Sequence, residues 1–515
     1  MTARSARPDV PLDQTWRLDD LFTSVEEWEA ERAAIEQMIP EVSEFQGRLG
    51  EGPQVLLEGS EALESLMMRF AKLFTYAYLR FAEDGTNPAG QELMGRAMAM
   101  QAMIGASIAF MRPEVLSLPE GTIERYFSEE PRLEPFLRQL ELILADKPYV
   151  LSTETETAIA ALSEVLDSPQ MVYEWTKASD ISFEPATDSE GKQVPVSFAT
   201  YEEILEISPD VALRRSAYAS FSCGLARYQN ALAGTFATEI KKNVAMARIR
   251  GFESATHMFL HQQEVTPEVY TNLLDVIQAE LAPHMRRYVD LRKRALGLDR
   301  IMYCDIEAPL DPDYSPEISY EKGAQLIMDS AAVMGPEYAD IIRVAVEDRW
   351  IDRVDNVGKA TGAFCASVYD VHPYILATWG DSMRSVFTIA HELGHAVQSV
   401  FAARNQRFVN ARPSLVLIEA PSTLNELLLA QHILEATDDD RTRRWVIVQL
   451  LGTYYHNYVR HLLEAELQRR GYAPAGGGRP VTWVLLSAGK GGSPGGDLGG
   501  GVEVDGGAER TRVRR

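Results

Sequence analysis

Two histidines four residues apart, in His391-Glu392-Leu393-Gly394-His395, limit what this chain can fold into more than any other feature. On a helix, residues at that spacing lie one above the other on the same face. Two imidazoles so placed can bind one zinc ion, and Glu392 projects beside them to act on a metal-activated water. Glu419 follows downstream in Leu417-Ile418-Glu419-Ala420-Pro421-Ser422. As a third ligand from a neighbouring helix it leaves the fourth position open, as catalytic rather than structural zinc requires. Manganese or cobalt could occupy the same donor set.

At 515 residues the chain can bury large cores and has the length of two to four domains. Lys and Arg total 50 against 75 Asp and Glu, giving a formal net charge of −25. Nucleic acid and anionic membranes both reward basic patches, so neither is an expected partner. Cys223, Cys304 and Cys365 are far apart and odd in number, which favours neither a disulfide framework nor a Cys-rich metal site. Each is expected as a small buried side chain. Arg4 and Arg7 are followed by no apolar run, and no stretch of about 20 apolar residues appears. A soluble, cytoplasmic protein is the expectation.

From Trp16 to about Leu166 the pattern is one of successive amphipathic helices, with Ser24 and Glu27 as a capping box ahead of the first. Segments 60–82, 88–111 and 133–146 carry apolar residues at three- and four-residue intervals. Met94, Met98, Met100 and Met103 at that spacing predict core packing. Around 171–200 the pattern changes to strand–turn–strand. Val172 to Trp175, Ile181 to Phe183 and Val194 to Val196 flank Asp188-Ser189-Glu190-Gly191. Helices resume, including one opened by Thr266-Pro267 and a stretch over 319–347.

Tyr374 to Trp379 predicts a strand, and a helix beginning near Met383 carries the two histidines. A strand just before that helix lets an extended peptide add beside the metal through main-chain bonds. His372 and Tyr374 are therefore candidate substrate contacts. Glu419 falls near the start of a second helix, on which Asn425 and Glu426 are candidates to orient a histidine. A last long helix spans 441–470. The predicted domains are a helical 15–170, a catalytic 171–470, and a glycine-rich 471–515. The last buries too little apolar surface to offset chain entropy and is expected to be disordered.

Several of these segments resemble one family. They are Trp16-Arg17-Leu18-Asp19-Asp20-Leu21-Phe22, Leu291-Arg292-Lys293-Arg294-Ala295-Leu296-Gly297-Leu298, the stretch from His372-Pro373-Tyr374-Ile375-Leu376 to His395, and Ile418-Glu419-Ala420-Pro421-Ser422-Thr423. Over roughly 15–470 the chain resembles the oligoendopeptidase F family, relatives of thimet oligopeptidase among the zinc metallopeptidases. The resemblance implies a mainly α, two-lobed molecule with a deep central channel and a small β-sheet near the zinc helix. It implies one Zn2+ per chain, held by His391, His395 and Glu419, with Glu392 catalytic, and cleavage of internal bonds of short oligopeptides in the cytoplasm. Family members continue with a Tyr- and His-containing segment that helps hold the substrate carbonyl, for which 471–515 offers no counterpart. Tyr454-Tyr455-His456 is the nearest substitute in sequence. The other reading is a truncated chain that binds zinc or peptide without efficient turnover.

Overall fold

The computed structural model describes residues 4–476. The described residues form a helical protein with two small sheets. They divide into two compact units, one made of 4–150 and 315–450, the other of 151–314 and 451–476. The predicted boundary at 170 thus moves to 150, and the segment that carries the histidines closes on the N-terminal helices. Hydrophobic periodicity is a local signal, whereas this division is set by contacts between segments far apart in the chain. Of the predicted glycine-rich tail, 471–476 continue the last helix, His461–Gly476, and the remainder lies outside the described residues.

In the first unit, Val25–Ser43, Pro53–Glu83 and Pro88–Ile108 pack as three helices. Ser24 caps the first by accepting from the Glu27 amide, and Glu27 in turn accepts from the Thr23 amide. Their shared core holds Trp28, Ile35, Leu66, Leu73, Leu93 and Ala97, together with Trp16, Leu21 and Phe22 from the N-terminal motif. The methionines of the third helix divide. Met100 is buried, but Met98 is 56% and Met103 47% exposed, because their side of the helix faces away from the other two. The stretch Pro88–Ser117 is long and apolar enough to cross a membrane by length and composition, although Leu93, Ala97, Met100 and Ile104 pack into the core.

A three-stranded sheet lies beside this core. The central strand Tyr374–Leu376 runs parallel to Ile351–Asp352 and antiparallel to Phe364–Ala366. Side chains alternate across a strand. Tyr374 and Leu376 therefore enter the core of the N-terminal helices, while Ile375 and Ala377 enter a second core with Leu393, Ala396 and Leu429. The sheet ties the N-terminal helices to the histidine-bearing helix. Asp352 is fully buried and paired with Arg7 at 2.5 Å and Lys359 at 2.6 Å. The stretch over 319–347 is two helices, Tyr320–Ala331 and Pro336–Glu347, broken at Gly335, whose φ of 94° no L-residue readily adopts.

In the second unit a hairpin pairs Ala186–Thr187 with Gln193–Val194 around Gly191. Val172 to Trp175, expected as a strand, instead ends the helix Ser163–Trp175. Within a helix each amide finds a partner in its own segment, and no strand among the described residues pairs with these. The helices Val211–Arg227, Gln229–Arg250 and Pro267–Ala295 complete most of the unit. The predicted long helix over 441–470 is Asp440–Tyr455 and His461–Gly476, joined by a widened turn.

Candidate metal centre

The helix Met383–Asn405 begins where the Ser382 hydroxyl accepts from the Ser385 amide. It buries Val386, Phe387, Ile389, Ala390, Leu393 and Val397, leaving His391 and His395 half-buried on a cavity. The helix Ala420–Ala436 packs against it at Gly394. A Cβ at Gly394 would lie 2.4 Å from the Pro421 carbonyl oxygen and 2.6 Å from Ser422 Cα. Only glycine permits this approach, and the approach delivers Glu419.

Glu419 Oε2 stands 3.2 Å from His391 Nε2 and 3.3 Å from His395 Nε2. The three donor atoms lie within 4.8 Å of one another. Two imidazole nitrogens and one carboxylate oxygen at these separations suit a small divalent transition metal, with room for a further ligand. The sequence-predicted ligand set is thus brought together in space.

The atoms behind the ligands fix their directions. Glu426 Oε1 accepts from His391 Nδ1 at 2.7 Å, which leaves the Nε2 lone pair facing Glu419. Asn425 does not touch a histidine, contrary to expectation. Its amide donates to the Ala390 carbonyl at 3.0 Å and its oxygen accepts from the Tyr338 hydroxyl at 2.6 Å, so it pins the helix backbone instead. Ser422, fully buried, donates to Glu419 Oε2 at 2.8 Å and also lies 2.9 Å from the Glu419 carbonyl oxygen. Because the Glu419 side chain is 63% exposed, this hydroxyl is what directs it. Ser422 sits in the quoted motif, and its offset of three from Glu419 is the signal that could have marked it.

Burial pushes the Glu392 carboxyl up to about 7, against the pull of His391 and with help from Glu419 and Glu426. Burial alone would lower both histidines. At His391 the Glu426 hydrogen bond and the nearby carboxylates outweigh it, whereas His395 stays below the ordinary value. Cys365 lines the same cavity. Burial, then the charge of Glu392, push its thiol well up, so it is no thiolate nucleophile.

His372 and Tyr374 are not on the cavity, contrary to expectation. His372 Nε2 hydrogen-bonds Asp20 Oδ2 at 2.9 Å, and its ring stacks on Trp350 at 4.7 Å between centroids. Tyr374 is fully buried, edge-on to Trp16, with its hydroxyl donating to the Arg17 carbonyl at 3.3 Å. Both hold the N-terminal motif to the sheet, because Tyr374 opens a central strand whose side chains fill two cores and His372 lies just before it. The strand that borders the cavity is the edge strand Phe364–Ala366. Tyr455, from the other candidate segment, packs with Ile301 and Ile306 in the second unit.

The model of peptidase family M3 matches residues 204–472, and that of oligopeptidase F matches 114–183. Oligopeptidase PepF of Bacillus subtilis is 31% identical over 481 residues, covering 93% of this chain and 72% of the relative. An oligoendopeptidase F homolog of Lactococcus lactis is 29% identical over 484 residues, covering 94% and 80%. A crystal structure from Chlamydophila abortus, assigned provisionally as a peptidase, superposes with a TM-score of 0.84 at 26% identity, covering 94% of this chain and 81% of that one. Oligoendopeptidase-F from Enterococcus faecium shares the fold, with a TM-score of 0.65 at 24% identity over 90% and 78%. The chain belongs to peptidase family M3, among the oligoendopeptidase F peptidases.

Proposed function

We propose that this peptidase is a zinc-dependent endopeptidase that hydrolyses internal bonds of short oligopeptides. One observation carries the reading: three converging donor atoms within 4.8 Å, with the buried Glu392 beside them on a cavity of about 860 Å3. His391, His395 and Glu419 would hold the metal. When bound, zinc supplies Lewis acidity, polarising the scissile carbonyl and making water a stronger acid.

Glu392 takes the proton of the attacking water and passes it to the nitrogen of the leaving amine. A carboxyl raised to about 7 suits both halves of that transfer near neutral pH. Glu426 keeps the His391 ring in one orientation and one tautomer, and Ser422 keeps the Glu419 carboxylate aimed at the histidines. Phe364–Ala366 is an edge strand whose outer side pairs with no strand among the described residues. An extended peptide added there gains main-chain hydrogen bonds irrespective of its sequence. Cys223, Cys304 and Cys365 are all free thiols, which fits a reducing compartment, and the cytoplasm is the proposed one.

The test is to strip metal with a chelator, restore it with stoichiometric zinc, and map the fragments of an eight-residue peptide by mass spectrometry. Cleavage at an internal bond should vanish on chelation and return with zinc. Cleavage indifferent to chelation, or confined to the terminal bond, would refute the reading.

A further inference from the structure

Arg412 is the one Arg or Lys among the residues described as lining the metal-centre cavity. It is exposed, and no hydrogen bond or ion pair engages it among the described residues. The nearest cation in sequence is already occupied. Arg407 pairs with Glu64 through two nitrogens and lies 4.7 Å over the Phe136 ring. Glu64, another cavity residue, is therefore neutralised within the protein.

The loop that bears Arg412 is anchored. The Val409 amide donates to Glu64, and the Asn410 side chain donates to the Pro135 carbonyl at 2.7 Å. Pro413 restricts the backbone of the residue before it to extended conformations. A free guanidinium is thus presented from a fixed base, on the same connection that delivers Glu419. Gln139 and Gln398 line the cavity too, half-buried and without side-chain hydrogen bonds among the described residues. A chain of net charge −25 repels anionic peptides at long range, so a local cation is what would retain one.

We infer that Arg412 is a carboxylate-recognition site for the bound peptide, making acidic or free-acid oligopeptides the preferred substrate class. This rests on the peptidase reading above. A planar guanidinium donates two parallel N–H bonds to a carboxylate, and the partner is either an acidic side chain or the peptide's own C-terminus. Exposure limits the gain to a few-fold and makes it salt-sensitive.

Binding decides it. Fluorescein-labelled octapeptides are titrated into the full-length, zinc-loaded chain carrying Glu392→Gln, so that no turnover interferes. Three forms are compared: C-terminal amide with Gln, free acid with Gln, and amide with Glu in place of Gln. At low salt at least one carboxylate form should bind about fivefold more tightly than the neutral one, and which form does so identifies the source. Arg412→Ala should erase the difference, Arg412→Lys should keep part of it, and Arg412→Glu should reverse it. Equal binding of all three forms, or a difference that survives Arg412→Ala, overturns the inference. A difference that behaves as expected, in a protein whose Glu392 form cleaves no peptide, would fault the peptidase reading and leave the carboxylate site standing.

Discussion

At the scale of single residues, the candidate metal centre is more than its three donor residues. Glu419 is the most exposed of the three, and one buried hydroxyl holds it in place. Ser422→Ala should therefore weaken zinc affinity by about tenfold or more, measured by competition with a chromophoric chelator. The melting temperature of the metal-free protein should change little. An unaltered affinity would mean that Glu419 finds its place without help. That His391 and His395 share one helix face with Glu392 beside them was legible in the sequence, because helical spacing is local. His372 and Tyr374 were misread because proximity in sequence to the histidines says nothing about direction. Both faces of the strand that Tyr374 opens are core, and here both side chains belong to the packing of Trp16 and Trp350. Asn425 was half legible: it lies in the right place, but its amide bonds the Ala390 carbonyl rather than a ring.

At the scale of elements, the site is a crossing of two helices with no space between them at Gly394. Alanine there meets backbone atoms of Pro421 and Ser422 that cannot rotate aside. Gly394→Ala should cost about 1–3 kcal/mol, the usual penalty for overpacking. It should also loosen the metal, since the displaced segment carries Glu419. A lower denaturant midpoint at unchanged slope, together with weaker zinc binding, would verify both halves. Retained zinc affinity would show that the ligand loop adapts independently of the helix. The helices themselves were readable: Ser24, Asp210, Thr266 and Ser382 each cap the helix that follows them. The strand Phe364–Ala366 was not, since three residues between loops carry too short a pattern to separate from their surroundings.

At the scale of the whole molecule, the metal centre, its cavity and the N-terminal helices belong to one unit, and 151–314 to another. No local pattern could disclose that 315–450 returns to 4–150. The tie is made by distant pairs such as Asp20 with His372, Trp16 with Tyr374, and Arg7 with Asp352. Metal that binds only the folded first unit must stabilise it by mass action. At free zinc a thousandfold above the dissociation constant the gain is about 4 kcal/mol. Hydrogen exchange should then slow across 383–436 on zinc addition and remain unchanged across 211–250. Uniform protection of both segments would mean that the two units open together.

The central claim is that three residues hold zinc while Glu392 moves the proton. Zinc content and turnover of an internally quenched octapeptide should be measured side by side for the full chain and its Glu392→Gln variant. Both should bind one zinc per chain, and only the chain with Glu392 should cleave. Cleavage by both at similar rates would contradict the assignment of Glu392, and a chain that binds no zinc would contradict the metal centre itself.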